Sequence, residues 1–212
     1  MVYRVLVASS LRLVTLPACL ALVLATAGLT APGCTSAKKR IDVPLILRAT
    51  AARHYPVVAF SPALKLNVQV IDERTQINQI GENIELSNSP PRPIFATGAD
   101  PATFIREAIE RELSDLGVNV VRDASSANRT LAFSIVKFYS VESNNYNTDV
   151  RANVQVKDGS GAVRFSGLVT GSNRRFGRSM SVDNYQEGFS DATIDMLAKL
   201  LNTADFQQSI TP

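Results

Sequence analysis

Few residues of this 212-residue chain carry reactive chemistry, and where they lie is more informative than how many there are. Two thiols are present, Cys19 and Cys34, both inside or beside an apolar amino-terminal stretch. Everything after residue 34 is cysteine-free, so it can hold no disulfide, thiolate nucleophile or cysteine-ligated metal. His54 is the single histidine and lies in a proline-punctuated stretch, where an exposed loop residue is a plainer reading than a catalytic base. With one imidazole, a metal would need a cage built mainly of carboxylates, and no Asp-rich loop of calcium-binding spacing occurs. We therefore expect no catalytic residue, no cofactor and no metal.

The charged residues offer three further sets. Glu107, Glu110, Glu112 and Asp115 could pair as the acid and base of a hydrolase, but their spacing beside Arg106 and Arg111 describes a solvated, salt-bridged helix face. Ser160 sits in Gly-Ser-Gly, lacks the frame of a nucleophile elbow, and is read as a turn residue. Asp72 and Arg74 leave a strand end one residue apart and on the same side. They could fix the following loop as an ion pair or contact a partner. Arg174, Arg175 and Arg178 flank Phe176. Three guanidiniums around an aromatic could grip anionic head groups, lipopolysaccharide phosphates or an acidic partner, with a plain polar loop as the alternative.

Residues 1–34 have the three parts of a secretory signal: Arg4 and Arg12, an uncharged apolar run from Leu13 to Ala31, and small residues before a cysteine. Ala31-Pro32-Gly33-Cys34 resembles the lipobox of bacterial lipoproteins. The resemblance implies a diacylglycerol on the Cys34 sulfur, cleavage just before it, and an acylated first residue. Thr35 follows in place of the Asp that retains such proteins at the inner membrane, which implies the outer membrane. Leu16-Pro17-Ala18-Cys19 matches the box better in spelling. Its apolar stretch before Arg12 is short, and cleavage there would leave Leu20 to Ala31 exposed on the product, so we favour Cys34. An uncleaved membrane-spanning helix is the other alternative, since the uncharged run approaches spanning length.

The charge balance separates leader from domain. The chain has 22 Lys and Arg against 19 Asp and Glu, a formal +3. Five of those cations precede residue 41 and no acid precedes Asp42, which leaves the remainder at a formal −2. Nothing in that balance calls for a basic face, so no nucleic-acid partner is expected. Lys38-Lys39-Arg40 reads as a solvated tether able to meet anionic head groups.

The elements that must position these residues are legible after Pro62. Leu64 to Ile71 alternates at period two and predicts a strand. Residues 41–62 read as an extended lead-in, and 73–100 as a long connection with one edge strand. Asp100 and Pro101 open a helix whose apolar face is Phe104, Ala108, Ile109, Leu113 and Leu116, stopped by Gly117. Val118 to Val121 and Thr130 to Tyr139 are strands. Val150 to Val156 and Val163 to Val169 form a hairpin about the turn Asp158 to Gly161. Asn184 and Glu187 suggest a capping box for a last helix, with Gly188 a weak point in it. The expected architecture is α+β: a mostly antiparallel sheet of four to five strands with two amphipathic helices on one face. The expected organisation is 1–33 signal peptide, 34–62 lipidated cysteine and extended tether, 63–206 periplasmic domain and 207–212 tail.

Asp72-Glu73-Arg74, Ile80-Gly81, Leu116-Gly117, the glycine-turn hairpin and Leu200-Leu201 together resemble the YajG-like family of bacterial lipoproteins over residues 64–206. The resemblance implies an outer-membrane lipoprotein. The anchor, the lack of a catalytic constellation and the small α+β layout point to a non-enzymatic domain that binds another envelope component, protein or lipid/lipopolysaccharide. The alternative is an auxiliary lipoprotein subunit of an ABC-type lipid or solute transporter, which should carry an apolar groove between helices and sheet.

Overall fold

The computed structural model describes residues 40–50, 55, 58, 60–85 and 89–210. Cys19, Cys34, Lys38, Lys39 and His54, and with them the signal and its alternatives, lie outside the described residues. Among the described residues, no helix is long and apolar enough to cross a membrane.

The α+β expectation holds, but the sheet is larger and mixed: eight strands among the described residues rather than four to five. In chain order they are β1 (Ile41–Pro44), β2 (Lys65–Asp72), β3 (Gln79–Asn83) and β4 (Arg92–Thr97), then β5 (Asn119–Val120), β6 (Arg129–Glu142), β7 (Tyr146–Asp158) and β8 (Val163–Arg175). The helices are α1 (Pro101–Asp115), α2 (Val182–Leu201) and α3 (Ala204–Ser209). Strand β6 is the hub. One edge pairs antiparallel with β7 along its whole length, and β7 pairs with β8. The other edge pairs in parallel with β2 over its first half and with β3 over its last residues. Strand β4 joins β3 antiparallel, and β1 joins β4 in parallel.

The missed strands have physical reasons. β1 is four residues long and ends on Pro44, so it reads as punctuation, yet Val43 is fully buried. β4 contains Pro93, which demotes a strand on sequence alone. It is tolerated because pairing with β1 begins only at Ile94. Strand β1 thus lies within the stretch 34–62, and Ile210, beyond residue 206, is buried.

Both larger helices cover one face of the sheet, where Phe138 of β6 stacks on Phe189 of α2 (centroids 4.2 Å apart) and meets Phe104 of α1 edge-on at 5.9 Å. Each such buried side chain contributes about 1.5–3 kcal/mol. α1 starts as its sequence requires, the Asp100 carboxylate accepting from the Thr103 N–H at 2.8 Å. α2 does not. It begins at Val182 after Ser181, with no side-chain cap bond, and neither Asn184 nor Glu187 serves as a cap. Asn184 donates instead to the Arg178 carbonyl at 3.0 Å, and Glu187 pairs with Arg175.

Gly188 is not a weak point but a contact requirement. A Cβ there would lie 2.8 Å from Thr148 Oγ1 of β7. Gly171 of β8 is tighter still, its absent Cβ only 1.9 Å from the Ala192 carbonyl oxygen and 2.5 Å from the Met196 nitrogen. These two glycines let α2 lie against the hairpin at backbone distance. Gly171→Ala is expected to lower stability by about 3 kcal/mol or more through overpacking. Gly159→Ala, where a Cβ meets open space, should change it by less than about 0.5 kcal/mol. Chemical unfolding of the two variants checks both.

Candidate functional site

The Asp72–Arg74 pair faces inward. The two side chains are only 10% and 9% exposed, and all five donor hydrogens of the guanidinium have acceptors within the chain. Nε and Nη2 reach the Asp72 carboxylate at 2.9 and 2.7 Å. Nη1 reaches the Phe138 carbonyl at 2.8 Å and that of Gln79 at 3.3 Å, while Nη2 also reaches Ile77 at 2.7 Å. This is the site where β2 has left β6 and β3 has not yet joined it, so the Phe138 carbonyl would otherwise lack a strand partner. The guanidinium also lies 5.6 Å from the Phe138 ring centroid. The pair is thus a structural plug, with no donor of Arg74 left for a partner.

The acidic helix face also needs a correction. Glu112 is buried, and its carboxylate accepts from the Tyr55 hydroxyl at 2.7 Å, so it is no part of a solvated face. Ser160 is a turn residue, as read: it bonds Asp158, whose carboxylate also accepts from the Ala162 N–H and from Arg164. Hydrogen bonds from the Ser160 hydroxyl and Arg164 hold that carboxyl well below the ordinary carboxylate range. No group of three or more metal-ligating side chains occurs among the described residues. Between helices and sheet, where the transporter-subunit alternative calls for an apolar groove, Phe104, Ile105, Ile109, Phe189, Met196 and Leu200 are all buried.

The three arginines divide. Arg175 turns inward to Glu187. Arg174 and Arg178 are exposed, and neither side chain forms an ion pair or hydrogen bond among the described residues. Phe176 between them is 83% exposed. Exposure alternates along 174, 176 and 178, producing an Arg–Phe–Arg row at the surface.

A buried polar cluster holds that row from behind, and sequence reading missed it. The Tyr146 hydroxyl donates to the Arg178 carbonyl and accepts from the Ser181 N–H at 3.0 Å. Glu142 accepts from the Met180 N–H at 2.8 Å and from the Tyr185 hydroxyl. Met180 itself takes a left-handed φ of 53°, a conformation that costs an L residue about 1–2 kcal/mol. Glu142 points inward because of a bulge at Val136. Before it, β6 buries odd positions (Leu131, Phe133, Ile135); after it, even ones (Phe138, Ser140, Glu142). Counting alternation from Thr130 would have put Glu142 in water.

The cluster has a defined electrostatic state. Burial pushes the Glu142 carboxyl up, but the hydrogen bonds it accepts, led by those from the Tyr185 hydroxyl and the Met180 N–H, outweigh it and hold the group below its ordinary value. Burial, then the Glu142 carboxylate, push Tyr185 far up, and burial raises Tyr146 too.

No family model matches the chain, and no curated protein matches it. Solved structures do. The fold is similar to that of a Xanthomonas campestris protein of family DUF330: TM-score 0.53, 16% identity, covering 79% of this chain and 96% of that one. That similarity shows the fold alone. Two weaker ones are a presumed lipoprotein of Caulobacter crescentus (TM-score 0.42, 15% identity, 61% of this chain and 89% of that one) and a minor lipoprotein of Acinetobacter baumannii (0.34, 12%, 68% and 91%).

Because the folded-state value of Glu142 is lowered, its stabilising contribution is complete above the ordinary carboxyl value and is lost as pH falls through the lowered one. Glu142→Gln should cost about 2 kcal/mol at neutral pH, flatten the acid limb of the stability profile, and speed tryptic cleavage after Arg178. Thermal unfolding across pH and timed proteolysis would show whether it does.

Proposed function

We propose that the chain is a lipid-anchored protein of the bacterial envelope, held to a membrane by acylation of Cys34. Its α+β domain binds another envelope component, protein or lipid, and performs no catalysis. The observation that carries this is a juxtaposition along the chain. The apolar run Leu13–Ala31 ends at Ala-Pro-Gly-Cys34, and strand β1 begins seven residues later at Ile41. A lipid on Cys34 needs a short hydrophilic spacer before the domain, and Thr35 to Arg40 supplies one with three cations. The shared-position resemblance to the YajG-like family supports the same conclusion, and Thr35 after the cysteine favours the outer membrane facing the periplasm. The buried disposition of the carboxylates Glu112 and Glu142, each bonded to a tyrosine, supports a binding protein over a hydrolase.

Intact mass of the protein extracted from membranes tests the anchor. The expected species begins at Cys34 and carries a diacylglycerol. Cys34→Ala should abolish that species, and Cys19→Ala should leave it unchanged. A chain that keeps Met1, or one that begins at Cys19, would overturn the assignment.

A further inference from the structure

The strand registers bring several element ends together. Glu142, the last residue of β6, pairs with Tyr146 at the start of β7 and with Asn83 at the end of β3. Tyr146 pairs with Arg175 at the end of β8, and Asn83 with Arg92 at the start of β4. β1 runs parallel to β4 with Ile41 opposite Ile94, so the chain enters the sheet at this same end. The Arg–Phe–Arg row is at this end too. After β8, the chain runs back across the strand ends. Arg178 is bonded to Tyr146 of β7 and Met180 to Glu142 of β6, and Met180 Sδ contacts Arg92 of β4 at 2.9 Å. The loop is a rim across one end of the sheet, and β1 starts at that same end.

Two further facts restrict what the rim faces. Seven Cα steps separate Cys34 from Ile41, at most about 25 Å of extended chain, so the end that carries Ile41 cannot stand far from the bilayer that holds the acyl chains. Much of the charge at the rim is paired: Asp42 with Arg40, Asp183 with Arg48 and Glu187 with Arg175, while the exposed Glu85 carboxylate accepts from the Ser179 hydroxyl and keeps its charge. Arg174 and Arg178 have no such partner among the described residues, and Phe176, Met180 and Ile84 are the exposed apolar groups beside them. An aromatic ring between two cations suits a bilayer interface, where the ring enters the head-group boundary and guanidiniums meet phosphates.

We propose that the Arg174–Met180 loop rests on the anionic phospholipid surface that holds the lipid tether, so that the domain stands on the membrane by this end. The inference rests on the lipid-anchor reading and adds a second, non-covalent contact that fixes orientation. The loop is presented rigidly, since Tyr146 and Glu142 hold its backbone and Asn184 packs where a Gly177 Cβ would be, at 2.2 Å.

The chain contains no tryptophan, so Phe176→Trp creates a single tryptophan reporter in the mature lipidated protein. It would be reconstituted into vesicles of phosphatidylethanolamine with phosphatidylglycerol, and into vesicles of phosphatidylcholine alone. With phosphatidylglycerol, the emission should move to shorter wavelength and be quenched by bromine-labelled acyl chains. Adding Arg174→Gln and Arg178→Gln should abolish the shift while the protein still sediments with the vesicles. Protein that sediments but keeps water-like emission in both lipids would overturn the loop contact and leave the anchor intact. Protein that stays in the supernatant would overturn the anchor and the loop contact with it. A shift seen only after adding envelope proteins would overturn the lipid contact in favour of a protein partner.

Discussion

The guanidinium of Arg74 sits where the sheet would otherwise come apart. β6 runs unbroken for fourteen residues, but its partner on one side is two strands, β2 and β3, with a six-residue excursion between them. A backbone carbonyl left bare inside a protein costs on the order of 1–3 kcal/mol, and here the Phe138 carbonyl faces the gap. Arg74 fills the place of the missing strand with donors, and Asp72 neutralises it. The same guanidinium lies against the Phe138 ring, whose other contacts are Phe104 and Phe189 of the two helices. Sheet continuity and helix docking thus converge on one aromatic residue.

From that centre, the architecture extends in two directions with different chemistry. Toward the Asp158 turn the inner face is aliphatic, with Val150, Val154 and Val156 buried, and α2 comes close to the hairpin at Gly171, which has no side chain. Toward the other end the inner face turns polar, with Ser140, Thr148, Glu142 and Tyr146. The Val136 bulge makes this change possible, since it re-aims every later residue of β6. The polar end is where the surface loop is secured, so one inserted residue separates a packing region from a loop-holding one.

Local patterns made part of this legible. The strand ending near Asp72, the Asp100–Pro101 helix start and the glycine-turn hairpin each declare themselves within a dozen residues, and the structure has them. The Arg174–Arg178 group was visible as a cluster, but only the fold separates Arg175, paired inward, from Arg174 and Arg178. What was illegible depends on distance along the chain. β1 and β4 are short, proline-marked, and stable only against each other and β3. Glu142 looks like a solvent-facing strand residue until the bulge is known. The supposed capping pair Asn184 and Glu187 had the right spacing and the wrong partners, because Arg175 and the Arg178 carbonyl compete for them. Glu112 looked solvated because its tyrosine partner comes from a segment 57 residues away.

The position of β6 as shared partner also bears on the order in which the molecule can form. A chain delivered amino terminus first presents β1, β2 and β3 well before residue 129 arrives; β3 can meet β4 in a local antiparallel pair, but β2 has no such hairpin to shelter it. Until then, the long edge of β2 lacks its main partner, and loop closure over some sixty residues must precede its pairing. The β6–β7–β8 meander has only short turns to close and can form by itself as soon as it emerges. This topology favours a carboxy-terminal nucleus that recruits the older strands backward, with Arg74 closing the last seam.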